Sequence, residues 1–193
     1  MNLAFDGGVL RDYQLLDIED EIRWTNIDTA WFYADTPWMK LEPIDPDELR
    51  ADMIEIMSSM SEDAIRWRFE IEAEGRHIGL VSSYYLNEQY EPTPWESIDQ
   101  SKNAEGNHAI RALGIEICEM DAWGKGIGGR ALTAFMAYYR SLGERRFLLE
   151  TWSGNHRMLG CAKKLGFTEV KRQRAARLVG GKAYDALVLE RRF

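Results

Sequence analysis

A cluster of glycines between two strongly patterned segments is the feature that most constrains this chain. Four glycines occur within the six positions of Gly124–Gly129, in the stretch AWGKGIGGRAL. The preceding stretch AIRALGIEICE has the composition of a strand, and the following residues place apolar side chains at spacings of three and four. Because glycine weakens a helix by about 1 kcal/mol relative to alanine, this cluster indicates a strand–turn–helix junction with a special backbone requirement.

Two explanations of the glycines follow from local chemistry. The unpaired N–H groups at a helix N-terminus attract phosphate oxygens, and glycine lets that backbone approach a pyrophosphate closely. Lys125 would add a cation. The alternative is a tight turn that packs closely on its surroundings. No GK[ST] follows a four-residue gap, and the dinucleotide pattern G-x-G-x-x-G read from Gly126 ends on Ala131. A nucleotide-binding α/β protein therefore stays a weaker alternative.

The rest of the chain alternates between strand-like and helix-like segments. Strands are predicted at Val9–Tyr13, Trp67–Leu86 as a hairpin, Ala109–Glu119, Arg145–Trp152 and Glu169–Phe193 as a second hairpin. Helices are predicted at Asp17–Ile27, from Pro46 onward, at Ile127–Leu142 and within Asn155–Gly166. Thr29–Pro43 is aromatic-rich and broken by proline, so it is expected to be irregular, and Asn87–Asn107 is expected to be a long loop. The pattern predicts one mixed α/β domain over residues 1–193.

Charge and cysteine content narrow the functional class. The 24 Lys and Arg residues against 32 Asp and Glu residues give a net charge of −8, which argues against a nucleic-acid partner. Cys118 and Cys161 have no metal-ligand spacing, so no metal site is expected. The N-terminus lacks the pattern of a signal peptide, and no apolar run approaches the roughly 20 residues of a membrane span. We therefore expect a cytoplasmic protein with no membrane partner.

Three stretches together resemble one known family. WGKGIGGRAL resembles the acyl-CoA loop of the GNAT N-acetyltransferase superfamily, Gln/Arg-x-x-Gly-x-Gly/Ala, with Trp123 at the first position and Gly126 and Gly128 as its glycines. A tryptophan followed by GKG is typical of the branch related to ribosomal-protein N-terminal acetyltransferases. NHRMLGCAKKLGF resembles the superfamily's second conserved stretch, and GGKAYDALVLE resembles the terminal hairpin of that branch. The resemblance covers residues 109–193.

The resemblance implies a fold and a co-substrate. The fold is a mixed, mostly antiparallel sheet flanked by helices, whose fourth and fifth strands splay apart to hold acetyl-CoA. The pyrophosphate would bind the N–H groups from Lys125 to Arg130, and pantetheine would lie along the edge Glu116–Cys118. An N–H near Ile117 would polarise the thioester carbonyl. The implied cofactor-binding residues are Ile117, Cys118, Trp123, Gly124, Lys125, Gly126, Ile127, Gly128, Gly129, Arg130 and Asn155.

The implied reaction moves an acetyl group to a primary amine, which requires a base near the acceptor. Glu116 and Glu119 are the candidates, with a surface or salt-bridged role as the alternative for each. The family's general acid is a tyrosine seven residues after the motif asparagine, but this chain has Ala162 there, with Cys161 just before it. Water or another tyrosine, such as Tyr138 or Tyr184, would then serve. The missing tyrosine leaves a non-catalytic acyl-CoA sensor as an alternative function.

The acceptor is indicated only by composition. Trp31, Tyr33 and Trp38 are predicted to bind substrate, and an acidic rim is expected from Glu88, Glu91, Glu96 and Asp99. Three acceptor classes remain open: a protein N-terminus, a polyamine or aminoglycoside, and a small amino metabolite. His77, His108 and His156 are expected at the surface, and the protein is expected to be a monomer or a homodimer.

Overall fold

The computed structural model describes residues 1–59, 61, 64–99 and 101–193. Its strands are β1 Asn2–Phe5, β2 Gly8–Arg11, β3 Arg68–Ala73, β4 Arg76–Leu86, β5 Ile110–Ile117, β6 Arg146–Trp152, β7 Thr168–Val179 and β8 Lys182–Arg192. Its α-helices are α1 Asp17–Asn26, α2 Ala30–Asp35, α3 Pro46–Ser59, α4 Ile127–Ser141 and α5 His156–Lys164. Three short 3₁₀ turns occur at Trp95–Ser97, Glu105–Asn107 and Met120–Ala122.

The strands form one sheet in the order β1-β2-β3-β4-β5-β6-β8-β7. All neighbours are antiparallel except β5 and β6, which are parallel and pair only at Arg111↔Phe147 and Ala112↔Leu148. Beyond Ala112 the two strands diverge, so the second half of β5 has a neighbour on the β4 side alone. The predicted fold class, a mostly antiparallel mixed sheet with splayed central strands, is confirmed; the splayed strands are the fifth and sixth rather than the fourth and fifth, because the chain has the additional strand β1.

The main core lies between one face of the sheet and helix α4. Leu132, Phe135 and Tyr139 of α4 are fully buried there, against side chains such as Phe69 and Phe147 from the strands. The opposite sheet face carries a smaller apolar cluster of Leu86, Ile110, Ala112, Leu148 and Val188. Because successive strand residues point to opposite faces, Glu116 shares this second face with Ala112, whereas Ile115 and Ile117 pack toward α4.

Two short elements differ from the sequence prediction. The strand β1 was not predicted; it pairs with β2 through a two-residue turn at Asp6 and Gly7, and Gly7 has φ 85°. An Asp-Gly pair between short strands is a hairpin signal. The aromatic stretch expected to be irregular contains the helix α2, which has no buried residue. Tertiary hydrogen bonds hold α2: Trp31 Nε1 donates to Trp24 O at 3.0 Å, and Trp152 Nε1 donates to Asp35 O at 2.6 Å.

The long polar loop before β5 is anchored by a buried ion pair. Arg111 Nη2 lies 2.7 Å from Glu144 Oε1, with both side chains 1% exposed. The same carboxylate oxygen accepts a hydrogen bond from Ala104 N at 3.0 Å. The loop is therefore fixed to the end of α4 and to the start of β5. No helix in the described ranges is both long and apolar enough to cross a membrane.

Candidate active site

The divergence of β5 from β6 opens a cavity of about 500 Å³. Its walls come from the end of β5, the glycine turn that starts α4, one side of α5 along its length, and α2. Residues from all four are Ile115, Glu116, Ile117, Trp123, Gly124, Gly126, Ile127, Gly128, Gly129, Asn155, His156, Arg157, Met158, Gly160, Cys161, Lys164, Trp31, Ala34 and Asp35. The splay thus connects the α4 side of the sheet with the opposite side, where α2 lies.

The glycine turn is both a backbone device and a close contact. Gly124 and Gly126 each have φ 76°, a left-handed conformation that glycine adopts without a Cβ penalty, and Gly126 is the N-cap of α4. A Cβ on Gly128 would lie 3.3 Å from Ile117 Cδ1 and 3.4 Å from Ile115 Cδ1. The first N–H groups of α4, at Ile127, Gly128 and Gly129, have no intrahelical acceptor and border the cavity. Tight packing and a row of N–H groups without intrahelical acceptors therefore coexist in this turn.

Trp123 ties the glycine turn to the end of β5. Its Nε1 donates a hydrogen bond to Ile117 O at 2.7 Å. The guanidinium of Arg157, from α5, lies 4.2 Å from the centroid of the Trp123 ring. The indole thus fixes the loop between β5 and α4 and brings a cation from α5 to the cavity.

The free edge of β5 offers N–H groups to the cavity. Cys118 N donates to Ile78 O at 2.9 Å, so the N–H groups of alternate residues point toward β4. The same alternation directs the N–H groups of Ile115 and Ile117 away from β4 and into the gap. Cys118 itself is placed elsewhere: its side chain is buried outside the cavity lining, and burial raises the pKa of its thiol.

The cations at the cavity are not the ones the sequence singled out. Lys125 Nζ is exposed and lies 3.7 Å from Glu74 Oε2, and Arg130 Nε donates to Asp6 O at 2.6 Å. Neither side chain belongs to the cavity lining, whereas Arg157 and Lys164 of α5 do. Their signal in the sequence was the pair of basic positions on one short helix, HRMLGCAKK, which sequence analysis did not use.

The two candidate bases have different environments. Glu116 lines the cavity, and burial raises the pKa of its carboxyl to about 7, with Arg68 opposing the shift and Asp35 adding to it. Glu119 lies outside the cavity lining. Its Oε1 accepts hydrogen bonds from Arg23 Nη2 at 2.5 Å and from Trp24 Nε1 at 2.9 Å. The structure therefore places the carboxyl group of Glu116, and not that of Glu119, at the cavity.

The tyrosines considered as general acids, Tyr138 and Tyr184, both lie away from the cavity. Ala162 is 1% exposed and belongs to the main core. Tyr138 lies beneath β3, where its hydroxyl accepts a hydrogen bond from Arg66 N at 2.8 Å. Tyr184 packs edge-on against Trp152, with ring centroids 4.9 Å apart, and neither tyrosine lines the cavity. Cys161 does line it, and burial raises the pKa of its thiol.

Asn155, the N-cap of α5, is hydrogen-bonded to the carboxylate of Asp35, a residue that sequence analysis did not identify. Its Oδ1 accepts from Met158 N at 3.0 Å as the cap of α5, and its Nδ2 donates to Asp35 Oδ1 at 2.9 Å. Asp35 is exposed to solvent, yet desolvation by the surrounding protein raises the pKa of its carboxyl group. The position of Asp35 depends on the unpredicted helix α2, so no local sequence pattern indicated it.

A second cavity of about 300 Å³ adjoins the first, and Asp35 lines both. Trp38 lines this second cavity and packs edge-on against Trp152 at 5.5 Å between ring centroids. Trp31 lines the first cavity instead, and Tyr33, which is 45% exposed, lines neither. The three aromatic residues predicted to bind the acceptor therefore lie in different places: one at the first cavity, one at the second cavity and one outside both.

The expected acidic rim does not form at the site. None of its four residues, Glu88, Glu91, Glu96 and Asp99, lines either cavity. Glu88 pairs with Arg146, and Asp99 pairs with Lys102, both at 2.7–2.8 Å. The prediction of a surface position is also wrong for His77, whose side chain is 5% exposed and whose Nε2 lies 2.9 Å from Glu70 Oε2. His108 and His156 are exposed as expected.

Comparisons with solved structures agree with this architecture. RimL, a ribosomal α-N-protein acetyltransferase in complex with coenzyme A, superposes with a TM-score of 0.71 and 16% identity, over 100% of this chain and 98% of that chain. A ribosomal-protein-alanine N-acetyltransferase from Brucella melitensis superposes with a TM-score of 0.62 and 17% identity, over 95% and 99% of the two chains. The yncA protein from Salmonella typhimurium, solved with acetyl-CoA, superposes with a TM-score of 0.63 and 15% identity, over 96% of this chain and 94% of that chain.

No curated protein sequence matches the chain, and at these identities the structural similarities establish the fold alone. The sequence itself matches the family model of the acetyltransferase (GNAT) domain over residues 9–168. That range includes both splayed strands, the glycine turn of α4 and the asparagine cap of α5. The chain therefore belongs to the GNAT acetyltransferase family.

Proposed function

We propose that the protein transfers an acetyl group from acetyl-CoA directly to a primary amine, with Glu116 as the general base. One observation carries the proposal: a single cavity joins the unpaired N–H groups of the α4 N-terminus to a half-buried carboxyl group whose pKa is about 7. The first feature suits a phosphate-bearing donor. The second suits removal of a proton near neutral pH, because a base works best when its pKa is close to the working pH.

The residues at the first cavity fit acetyl-CoA. The N-terminus of α4 and the cations Arg157 and Lys164 would hold its phosphates, and the relatives RimL and yncA were solved with coenzyme A and acetyl-CoA. The free edge of β5 would hold the pantetheine arm by strand-like hydrogen bonds. When bound, acetyl-CoA supplies an acyl group activated as a thioester.

The chain's own groups then divide the work. The N–H groups of Ile115 and Ile117 point into the gap and donate to a carbonyl oxygen placed there, which favours negative charge on that oxygen. The amine approaches from the face that carries Glu116 and Asp35, because α4 and α5 occupy the other face. Glu116 accepts the ammonium proton. No tyrosine lines this cavity in the described part of the chain, so we assign no side-chain acid to the leaving group.

The test is release of free thiol from acetyl-CoA in the presence of an amine panel of N-terminal peptides, amino acids, polyamines and aminoglycosides. We expect amine-dependent thiol release, with the acetylated amine identified by mass spectrometry. Acetyl-CoA binding without release across the panel would contradict the proposal and favour an acyl-CoA sensor, the function that Ala162 at the tyrosine position would suit.

A further inference from the structure

The second cavity lies where an amine acceptor would enter. It is built on the sheet face that carries Glu116, from the end of β6, the β7–β8 hairpin and the end of α2. Asp35 belongs to both cavities, so a ligand in the second one reaches the first at this carboxylate. Trp38 and Trp152 form its aromatic wall. The cavity of about 300 Å³ suits a small ligand or the end of a peptide.

The charges in this cavity are of both signs. Asp35 and Glu150 are its carboxylates, and each accepts a hydrogen bond. Asn155 Nδ2 donates to Asp35 Oδ1 at 2.9 Å, and the Tyr84 hydroxyl donates to Glu150 Oε2 at 2.7 Å. Lys171 and Arg177, on β7, are its cations. The cavity therefore offers carboxylates near the splay and positive charge on the hairpin side.

The two cations have no carboxylate partner among the described residues. Lys171 Nζ donates to Gln89 O at 2.8 Å, and Arg177 Nη1 donates to Ala176 O at 3.2 Å while its guanidinium lies 4.9 Å from the Trp38 ring centroid. By contrast, Arg172 on the opposite face of β7 pairs with Glu169 and Asp185. In a chain with net charge −8, two unneutralised cations in one cavity point to an anionic ligand group.

The irregular course of β7 keeps both cations on this face. Lys171 pairs with Val188 and Gln173 pairs with Ala186, but the next pair is Arg177 with Tyr184. Between these last two pairs, β7 advances by four residues while β8 advances by only two. The two extra residues form a bulge at Ala175, which has φ 52° and donates its N–H to Asp185 Oδ1 at 3.0 Å. Because the insertion is even, Arg177 returns to the face that Lys171 occupies.

We propose that the second cavity binds the acceptor and selects a primary amine that carries a carboxylate, as a free amino acid or an acidic N-terminal peptide does. The amino group would lie at Asp35, beside Glu116, and the carboxylate would lie at Lys171 and Arg177. This inference rests on the proposed function and excludes polyamines and aminoglycosides as good acceptors, because their additional ammonium groups would meet these two cations. A carboxylate suits Arg177 in particular, since a guanidinium can bind both carboxylate oxygens.

The experiment compares acceptors matched in everything but charge. The panel contains an amino acid and its carboxamide, an acidic N-terminal peptide and its lysine-substituted counterpart, and spermidine. We expect kcat/KM to favour the carboxylate-bearing member of a pair by at least about tenfold. The amino-acid pair and the peptide pair distinguish the two sources of the carboxylate. A preference for spermidine, the lysine peptide or the carboxamide would overturn the inference.

Variants of the hairpin assign the preference to these residues. Lys171→Gln and Arg177→Gln should raise KM for the carboxylate-bearing acceptor by about tenfold, and this increase should exceed any change in KM for its uncharged counterpart. Arg174→Gln is the matched control, because Arg174 is an exposed neighbour on β7 that does not line the cavity. Retention of the full preference in both cavity variants would contradict the inference, and thermal melts establish that each variant is folded.

Binding separates this inference from the proposed function. If no acceptor releases thiol, the proposed function fails, and calorimetry on the protein saturated with coenzyme A still compares the acidic peptide with its lysine counterpart. Tighter binding of the acidic peptide, lost in Arg177→Gln, would support the charge selection. Equal or weaker binding of the acidic peptide would overturn it.

Discussion

Glu116 occupies an environment that disfavours its charged form. Burial is the largest influence on its pKa and raises it to about 7, Arg68 opposes the shift, and the carboxylates of Asp35, Glu21 and Glu70 add to it. A carboxyl group in this state exchanges its proton near neutral pH, as a general base must. Glu119 is only three residues away, but its carboxylate is held by Arg23 and Trp24. Hence two glutamates at neighbouring positions have different electrostatic environments.

Glu116→Gln should lower kcat/KM for amine acetylation by about 10²–10⁴-fold, the usual contribution of a general base. In the wild type, kcat/KM should rise with pH through about 7 as Glu116 loses its proton, and this inflection should be absent from the variant. Ionisation of the amine itself contributes equally in both proteins, so the difference between the two pH profiles isolates Glu116.

Glu119→Gln is the control for that change, since it removes a similar carboxylate outside the cavity. Its pH profile should keep the wild-type inflection even if its stability falls through loss of the contacts with Arg23 and Trp24. An inflection near pH 7 that survives in Glu116→Gln and disappears in Glu119→Gln would reverse the assignment of the base.

Within the element that joins β5 to α4, the glycines have separable purposes. Gly124 and Gly126 supply left-handed backbone, and Gly128 allows α4 to approach Ile115 and Ile117. Gly129 has neither constraint: its φ is not positive, and a Cβ there would lie 3.6 Å from Cys161 Sγ, an ordinary contact. Gly129 therefore allows the charge at the helix N-terminus to be changed without straining the turn.

Gly129→Glu should stabilise the fold and weaken acetyl-CoA binding at the same time. Replacing a helical glycine gains up to about 1 kcal/mol, and an acidic residue in the first turn adds about 0.3–1 kcal/mol through the helix dipole. The same negative charge would repel the phosphates of the donor. We expect a higher midpoint in urea denaturation and a Kd for acetyl-CoA raised by about tenfold or more.

Gly129→Gln is the matched control, because it has the same size without the charge. It should share part of the stabilisation and lose much less affinity than Gly129→Glu. Wild-type affinity in both variants would contradict an anion site at the start of α4, and equal losses of affinity in both would indicate that side-chain volume alone blocks the cavity.

The sequence predicted those elements whose signals are local. The glycine turn, the amphipathic face of α4 and the closing Gly166, whose φ is 78°, are each written in a few adjacent residues. Helix α2 was missed because it is held by hydrogen bonds to Trp24 and Trp152 of other elements, while its N-cap residue Thr29 makes no side-chain capping hydrogen bond. Asp35 was missed with it, and so was its pairing with Asn155.

At the scale of the whole molecule, the candidate site depends on burial, which no single segment specifies. Glu116 comes from β5, Asp35 from α2, Asn155 from α5 and Arg177 from the terminal hairpin, and only the folded sheet brings them to adjoining cavities. The sequence identified Glu116 as a candidate from its place beside the glycine turn. Its raised pKa could not be read from that place, because the shift arises from desolvation by the assembled fold.

This shift makes folding stability depend on pH in a direction that can be tested. The pKa of Glu116 rises from 4.5 to about 7 on folding, so between these values the unfolded chain is ionised while the folded chain holds the proton. A raised carboxyl pKa gives stability that is present below the unfolded value and lost as pH rises through the folded value. The wild type should therefore lose stability from this residue between pH 5 and pH 8.

Glu116→Gln has no proton to bind at this position, so its stability should lack that loss. Relative to wild type, the variant should gain about 2 kcal/mol of unfolding free energy on going from pH 5 to pH 8, since each pKa unit corresponds to about 1.4 kcal/mol. Urea denaturation of both proteins at the two pH values measures the difference. Glu105→Gln, which removes an exposed carboxylate that lines neither cavity, corrects for the change in net charge. If the difference in unfolding free energy between wild type and Glu116→Gln stays constant with pH, Glu116 ionises as freely in the folded protein as in the unfolded chain. The assignment of Glu116 as the general base would then lose its physical support.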